Sequence, residues 1–72
     1  MDYAQRIKDL RTDNDKTQKE TAQVLQTTQS YYSQYENRKR EMPIHHLITL
    51  SKYYGVTTDY ILGLTDIKNI CL

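Results

Sequence analysis

Gln29 and Gln34 stand five residues apart in a segment that opens on Thr28, with Ser30, Tyr31 and Ser33 between them. A carboxamide carries a donor and an acceptor side by side. On an exposed helix face it can donate to N7 and accept from the N6 amino group of adenine, so Gln29 and Gln34 are candidates for reading base edges. Ser30 can reach a base or a phosphate, with less discrimination because its side chain is short. Tyr31 could lie against a sugar or a thymine methyl, and Ser33 shares the outer face. Two exposed glutamines alone are ordinary helix surface; their weight comes from what surrounds them.

The densest basic cluster, Arg38-Lys39-Arg40, follows directly. Basic side chains placed there could run along a phosphate backbone. Thr28 at the head of the segment, Asn37 at its foot, and Lys39 and Arg40 beyond it are candidates for phosphate contacts. Such contacts set register and give salt-dependent affinity, not sequence choice. In a solvated loop three basic residues would carry no message. Their place beside the glutamine segment is what gives them one.

Two short segments must position these side chains. Thr17 to Leu25 and Thr28 to Tyr35 each open on a threonine cap, and only Gln26 and Thr27 separate them. Thr17-Gln18-Lys19-Glu20 reads as a capping box, in which the Thr17 hydroxyl and the Glu20 carboxylate each satisfy the other's backbone amide. Ala22, Val24 and Leu25 supply the apolar contacts of that helix. Tyr32 and Tyr35 form the inner face of the next one, which leaves Gln29, Ser30, Ser33 and Gln34 outside. A short helix held at a tight turn, with amides at its start, has the form of an element that enters the major groove of DNA.

The rest of the chain also reads as helical. Gly and Pro are scarce (Gly55, Gly63, Pro43) and strand-like alternation is absent. Asp2 caps a first helix running to about Asp13, with Tyr3, Ile7 and Leu10 on one stripe. Pro43 fits the first turn of a fourth helix, whose apolar face is Ile44, Leu47, Ile48 and Leu50, with Tyr54 a turn later. Gly55 is placed to take a left-handed conformation and end it, with Val56 folding back. Thr57 caps a fifth helix that Gly63 stops at Leu62. Ile67, Ile70 and Leu72 make the tail too apolar for plain disorder.

Size and composition exclude much else. Seventy-two residues make one small domain with little room for a catalytic cleft. No nucleophile–base–orienter set, no glycine-rich phosphate loop and no carboxylate pair at a useful spacing is present, so no catalytic residue, cofactor or small-molecule ligand is expected. Adjacent residues on a helix diverge and no third ligand is near, so His45-His46 is not expected to hold a metal. One cysteine, Cys71, leaves no internal disulfide framework and fits a reducing compartment. No apolar run approaches a membrane span and Met1 to Gln5 has no signal-peptide core, so a cytoplasmic protein without a membrane partner is expected. The net charge of +1 weighs against a nucleic-acid binder, but its distribution matters more. Residues 1–36 hold six acidic and five basic side chains, and residues 37–72 hold three and five.

With these pieces in order, the chain resembles the phage repressor and Cro (XRE-type) helix-turn-helix family. The resemblance runs from Arg6-Ile7-Lys8-Asp9-Leu10-Arg11 to Asp59-Tyr60-Ile61-Leu62-Gly63-Leu64, through Thr17-Gln18-Lys19-Glu20-Thr21-Ala22 and Tyr35-Glu36-Asn37-Arg38-Lys39-Arg40. It implies an all-α, compact five-helix, lambda-repressor-like domain over residues 1–66, with the helix-turn-helix formed by the second and third helices. Residues 67–72 would be a short apolar tail. It implies that Gln18 hydrogen-bonds a phosphate at the start of the second helix. It also implies that Arg11 and Glu36 pair and orient the third helix. Three positions depart from the family pattern. Gln26 and Arg38 stand where glycine is usual, so each must tolerate a left-handed backbone or the turn must differ. Thr27 replaces an aliphatic residue.

The function implied is a bacterial or phage regulator that reads double-stranded DNA and acts by occupancy. Within this chain no sensor domain is expected. One reading helix covers few base pairs, so a homodimer on a near-palindromic site is expected. Ile67, Ile70, Cys71 and Leu72, with the surface of the fifth helix, are the candidate dimer contact; packing of that tail on its own core is the alternative. A second reading of the whole chain stays open: a protein-interaction module, such as an antitoxin or anti-repressor, using the same fold.

Overall fold

The computed structural model describes residues 2–68. They form five helices and, among the described residues, no strand: α1 (Tyr3–Asp13), α2 (Gln18–Val24), α3 (Gln29–Glu36), α4 (Ile44–Tyr54) and α5 (Thr58–Leu62). Four of the five begin on an oxygen-bearing side chain. Asp2, Thr17, Thr28 and Thr57 accept from the amides of Gln5, Glu20, Tyr31 and Tyr60. Each satisfies an amide that the helix itself cannot. The capping box at Thr17 and Glu20 is complete in both directions. Pro43 is the exception. It stands one residue ahead of the first turn expected for it, as the cap of α4, and makes no side-chain bond there.

All five helices end in one way. A residue in the left-handed region closes each: Asp15, Gln26, Arg38, Gly55 and Gly63, with φ between 56° and 78°. The next amide then reaches back five residues to a carbonyl of the last turn. These bonds are Lys16 to Arg11, Thr27 to Ala22, Lys39 to Gln34, Val56 to Ser51 and Leu64 to Asp59, at 2.9 to 3.0 Å. Such closures satisfy carbonyls that would otherwise be orphaned, and they allow connections of only a few residues. Gln26 and Arg38 therefore do adopt the backbone that glycine would adopt more cheaply, and Asp15 joins them.

Each helix sends two side chains to one core. They are Ile7 and Leu10, Ala22 and Leu25 (just past α2), Tyr32 and Tyr35, Leu47 and Leu50, and Tyr60 and Ile61. With neither Phe nor Trp in the chain, tyrosines fill the centre; the Tyr32 and Tyr35 rings meet edge to face at 6.3 Å. The α4 face is narrower than the sequence suggests. Ile44 is 73% exposed and Ile48 43% exposed. Ile48 lies nearly opposite Leu50 around the helix, and Ile44 projects from the first turn beyond the core.

Arg6 is a buried residue that the apolar stripe of α1 does not reveal. Its guanidinium lies 4.1 Å above the Tyr60 ring, and its Nη2 donates to Asp66 at 3.1 Å. The Thr57 amide donates to the Lys68 carbonyl at 2.8 Å. These contacts fold the segment after α5 back over the domain. Ile67 remains 64% exposed, and Ile70, Cys71 and Leu72 lie outside the described residues. No helix among the described residues is long and apolar enough to cross a membrane.

The backbone conformation at Gln26 yields a stability test. A left-handed Cβ costs about 1 kcal/mol or more, and the greater unfolded-state freedom of glycine offsets part of its removal. Gln26→Gly should therefore gain about 0.5–1 kcal/mol, raising Tm by roughly 3–6 °C in a domain of this size. A thermal melt checks it; an unchanged or lower Tm would refute the strain account.

Candidate functional site

α2 and α3 are set by the two residues between Leu25 and the Thr28 cap. Gln26 turns the chain left-handed at φ 58°. The Thr27 amide closes onto Ala22, and Thr28 starts α3 at once by accepting from Tyr31 at 3.1 Å. The end of one helix and the start of the next are thus both bonded, and the angle between them has little freedom. Tyr32, Tyr35 and Glu36 form the buried side of α3. Gln29, Ser30 and Tyr31 are exposed, and Ser33 and Gln34 are half-buried at its edge.

Glu36 is only 5% exposed, and its carboxylate is the junction of three helices. Arg11 of α1 donates from Nε at 2.8 Å and from Nη2 at 3.2 Å, one bond to each oxygen. Gln18, the first residue of α2, donates from Nε2 at 3.2 Å. Arg11 also donates from Nη1 to the Lys16 carbonyl at 3.0 Å, which ties in the α1–α2 loop. The buried Tyr32 hydroxyl borders this carboxylate without a formed hydrogen bond. Burial alone would push the Glu36 carboxyl up, but the bonds from Arg11, with the neighbouring Tyr32 and Gln18, hold it below the usual range. Burial, reinforced by the nearby Glu36, pushes the Tyr32 phenol the other way and keeps it neutral.

The basic cluster divides. Arg38 turns away from α3 and forks onto Asp2, with Nε 2.6 Å from Oδ2 and Nη2 3.0 Å from Oδ1. Arg40 folds back over α3. Its guanidinium lies 4.5 Å above the Tyr31 ring and its Nε donates to Gln34 Oε1 at 3.3 Å. Lys39 is exposed between them. The Asn37 amide donates to Ser33 Oγ at 3.1 Å. Thr28 and Asn37 cap the two ends of α3 and Arg40 lies over its outer side, whereas one Gln18 N–H is already committed to Glu36. Neither the Asp2–Arg38 fork nor the Arg40 fold-back has a signal in the sequence. Both follow from the left-handed turn at Arg38.

The His45 and His46 rings are tilted against each other with centroids 4.2 Å apart, and the His46 and Tyr35 rings meet edge to face at 5.9 Å. Partial burial, then the neighbouring His45, hold the His46 imidazole below its ordinary range. Among the described residues no three His, Cys, Asp or Glu side chains are grouped to hold a metal.

The comparisons agree with this geometry. A family model described as Helix-turn-helix matches residues 7–61. An uncharacterized HTH-type transcriptional regulator, YobD of Bacillus subtilis (strain 168), is 38% identical over 64 residues, which are 89% of this chain and 57% of that protein. The HTH-type transcriptional regulator ImmR of the same organism is 36% identical over 68 residues, 94% of this chain and 54% of that protein. The chain thus spans little more than half the length of these curated relatives.

The Glu36 junction implies an acid response. A carboxylate held below its ordinary value of 4.5 contributes stability that is complete above that pH and lost as pH falls through the lower folded value. Urea unfolding from about pH 7 to about pH 3 should show wild-type stability falling below about 4.5. Glu36→Gln should be less stable at neutral pH and flatter through the same window. Asp2, held low by Arg38, would supply the residual slope. Parallel curves for the two proteins would remove Glu36 from the acid response.

Proposed function

Because the chain belongs to the helix-turn-helix family, we propose that it is a sequence-specific DNA-binding transcriptional regulator of the repressor and Cro type. It lays α3 in the major groove of an operator and acts by occupancy. One observation carries this reading: α3 is buried along Tyr32, Tyr35 and Glu36 and presents Gln29, Ser30 and the edge residue Gln34 on its other side. A helix locked from behind can place side chains on base edges reproducibly. That two relatives carry the name of transcriptional regulator supports the same reading.

In this reading Gln29 and Gln34 contact bases, with Ser30 beside them and Tyr31 and Ser33 as further contacts. Gln18, Thr28, Asn37, Lys39 and Arg40 hold phosphates on the two sides of the groove. The Arg11–Glu36 pair orients α3 and touches no DNA. A single α3 spans few base pairs, so the regulator works as a homodimer on a near-palindromic site. Its contact surface is the exposed apolar set after α5, Leu64 and Ile67, with Leu62 of α5 itself.

A gel-shift with random genomic fragments at two salt concentrations tests the DNA reading. Specific retention should weaken steeply with salt. Lys39→Ala should weaken all fragments alike and lower the salt slope by about one. Gln29→Ala combined with Gln34→Ala should abolish most of the choice among fragments and leave folding intact. No retention at low salt would overturn the proposal and favour a protein-binding module. For the dimer, sedimentation should show twice the monomer mass, reverting to the monomer in Leu64→Glu. An unchanged dimer would remove that face from the contact.

A further inference from the structure

The fold-back of Arg40 onto α3 has a consequence for which bases are read. We propose that Arg40 is a positioning residue that fixes the amide of Gln34 and directs it to an acceptor edge, guanine N7 and O6, instead of to adenine. The inference rests on α3 being the base-contacting helix, and it changes what Gln34 can recognise there.

The contact is built from the backbone upward. The left-handed turn at Arg38 reverses the chain, and the Lys39 amide closes it onto the Gln34 carbonyl at 2.9 Å. Arg40 is thereby returned over the outer side of α3. Its guanidinium stacks on Tyr31 at 4.5 Å. Tyr31 is braced in turn, edge to face at 5.8 Å, by Tyr35, whose ring belongs to the buried core. An exposed arginine ordinarily samples many rotamers; this one has a platform beneath it and a hydrogen bond at its Nε.

That hydrogen bond selects an amide orientation. A guanidinium only donates, so the atom facing Arg40 Nε at 3.3 Å has to be the Gln34 oxygen. The Gln34 nitrogen then points away from Arg40, and the half-buried side chain has limited room to turn over. Adenine needs the oxygen and nitrogen of one amide together, whereas guanine N7 and O6 need donors alone. With its oxygen held by Arg40, Gln34 meets the groove as a donor. The Nη groups of Arg40 remain available for a phosphate, so one guanidinium would join a backbone contact to a base contact. A lysine could keep the charge but neither stack as a plane nor direct a fixed N–H at the amide.

Selection of bound fragments from a random DNA pool tests this with the full chain. Gln34→Ala identifies the base pair that Gln34 reads, as the position whose preference disappears. The expectation is a G·C pair there in the wild type. Arg40→Lys should weaken all sites alike through its phosphate contact and, beyond that, lose about tenfold of the preference at that one position. Tyr31→Leu, which removes the stacking platform from an exposed site, should loosen the same position. Arg40→Lys weakening every sequence equally, with preference intact, would reduce Arg40 to a phosphate contact and overturn the proposal. An A·T pair at the Gln34-dependent position would overturn it as well. Failure of the wild type to select any fragment is the distinct result that removes the base-reading assignment itself.

Discussion

A buried carboxylate cannot be left alone. Glu36 is almost out of contact with water, and its charge persists only because Arg11 and Gln18 bring three N–H groups to it. Desolvation opposes the attraction in such a pair, so its net stabilisation is small compared with the cost of removing one partner. Its main effect is geometric. Arg11 comes from α1, Gln18 from the first position of α2 and Glu36 from the last position of α3. A shift or rotation of any of these helices would strip the carboxylate of a donor. The relation between α2 and α3, on which any use of the exposed side of α3 depends, is therefore enforced by an electrostatic requirement as well as by the turn.

The helix ends impose a second constraint, which the chain meets at some cost. Short connections require each helix to stop abruptly, and a left-handed residue does this at all five ends. Glycine stands at only two of them. At Arg38 the cost has a return: the side chain forks onto Asp2, and the cap of α1 is joined to the loop leaving α3. The reversal there also carries Arg40 back over Tyr31. Among the described residues no side-chain hydrogen bond or ion pair of Gln26 or Asp15 accounts for a non-glycine residue at those positions.

What could be read from the sequence was local. Caps, the Thr17–Glu20 box, the glycine stops and the inward tyrosines of α3 all depend on spacings of three to five residues, which helical geometry fixes in advance. Gln26 and Arg38 could be marked as left-handed only because a resemblance showed where glycine belonged. Of the contacts that join distant positions, the Arg11–Glu36 pair was expected, and only from the resemblance; the others were not legible. Arg6 meets Tyr60 and Asp66, and Asp2 meets Arg38 across the fold. In the sequence none of these residues carries a mark of its distant partner. Ile44 and Ile48 erred the other way: their apolar character suggested burial, but the core ends before the first turn of α4 and reaches only one side of that helix.

These distant pairs also determine where the charge of a chain with a net charge of +1 is committed. Of the four arginines, Arg6, Arg11 and Arg38 each pair with a carboxylate of this same chain. Their charges are committed to holding the segment after α5, orienting α3 and closing the loop behind it. The cations left at the exposed side of α3 are Lys39, exposed, and Arg40, stacked on a tyrosine and bonded to a glutamine. In the proposed DNA complex so few cations would give long-range attraction a modest share of binding, and the precision of short contacts would have to supply more. A surface of this kind depends on rigidity. That is what the buried carboxylate, the closed helix ends and the tyrosine platform each provide.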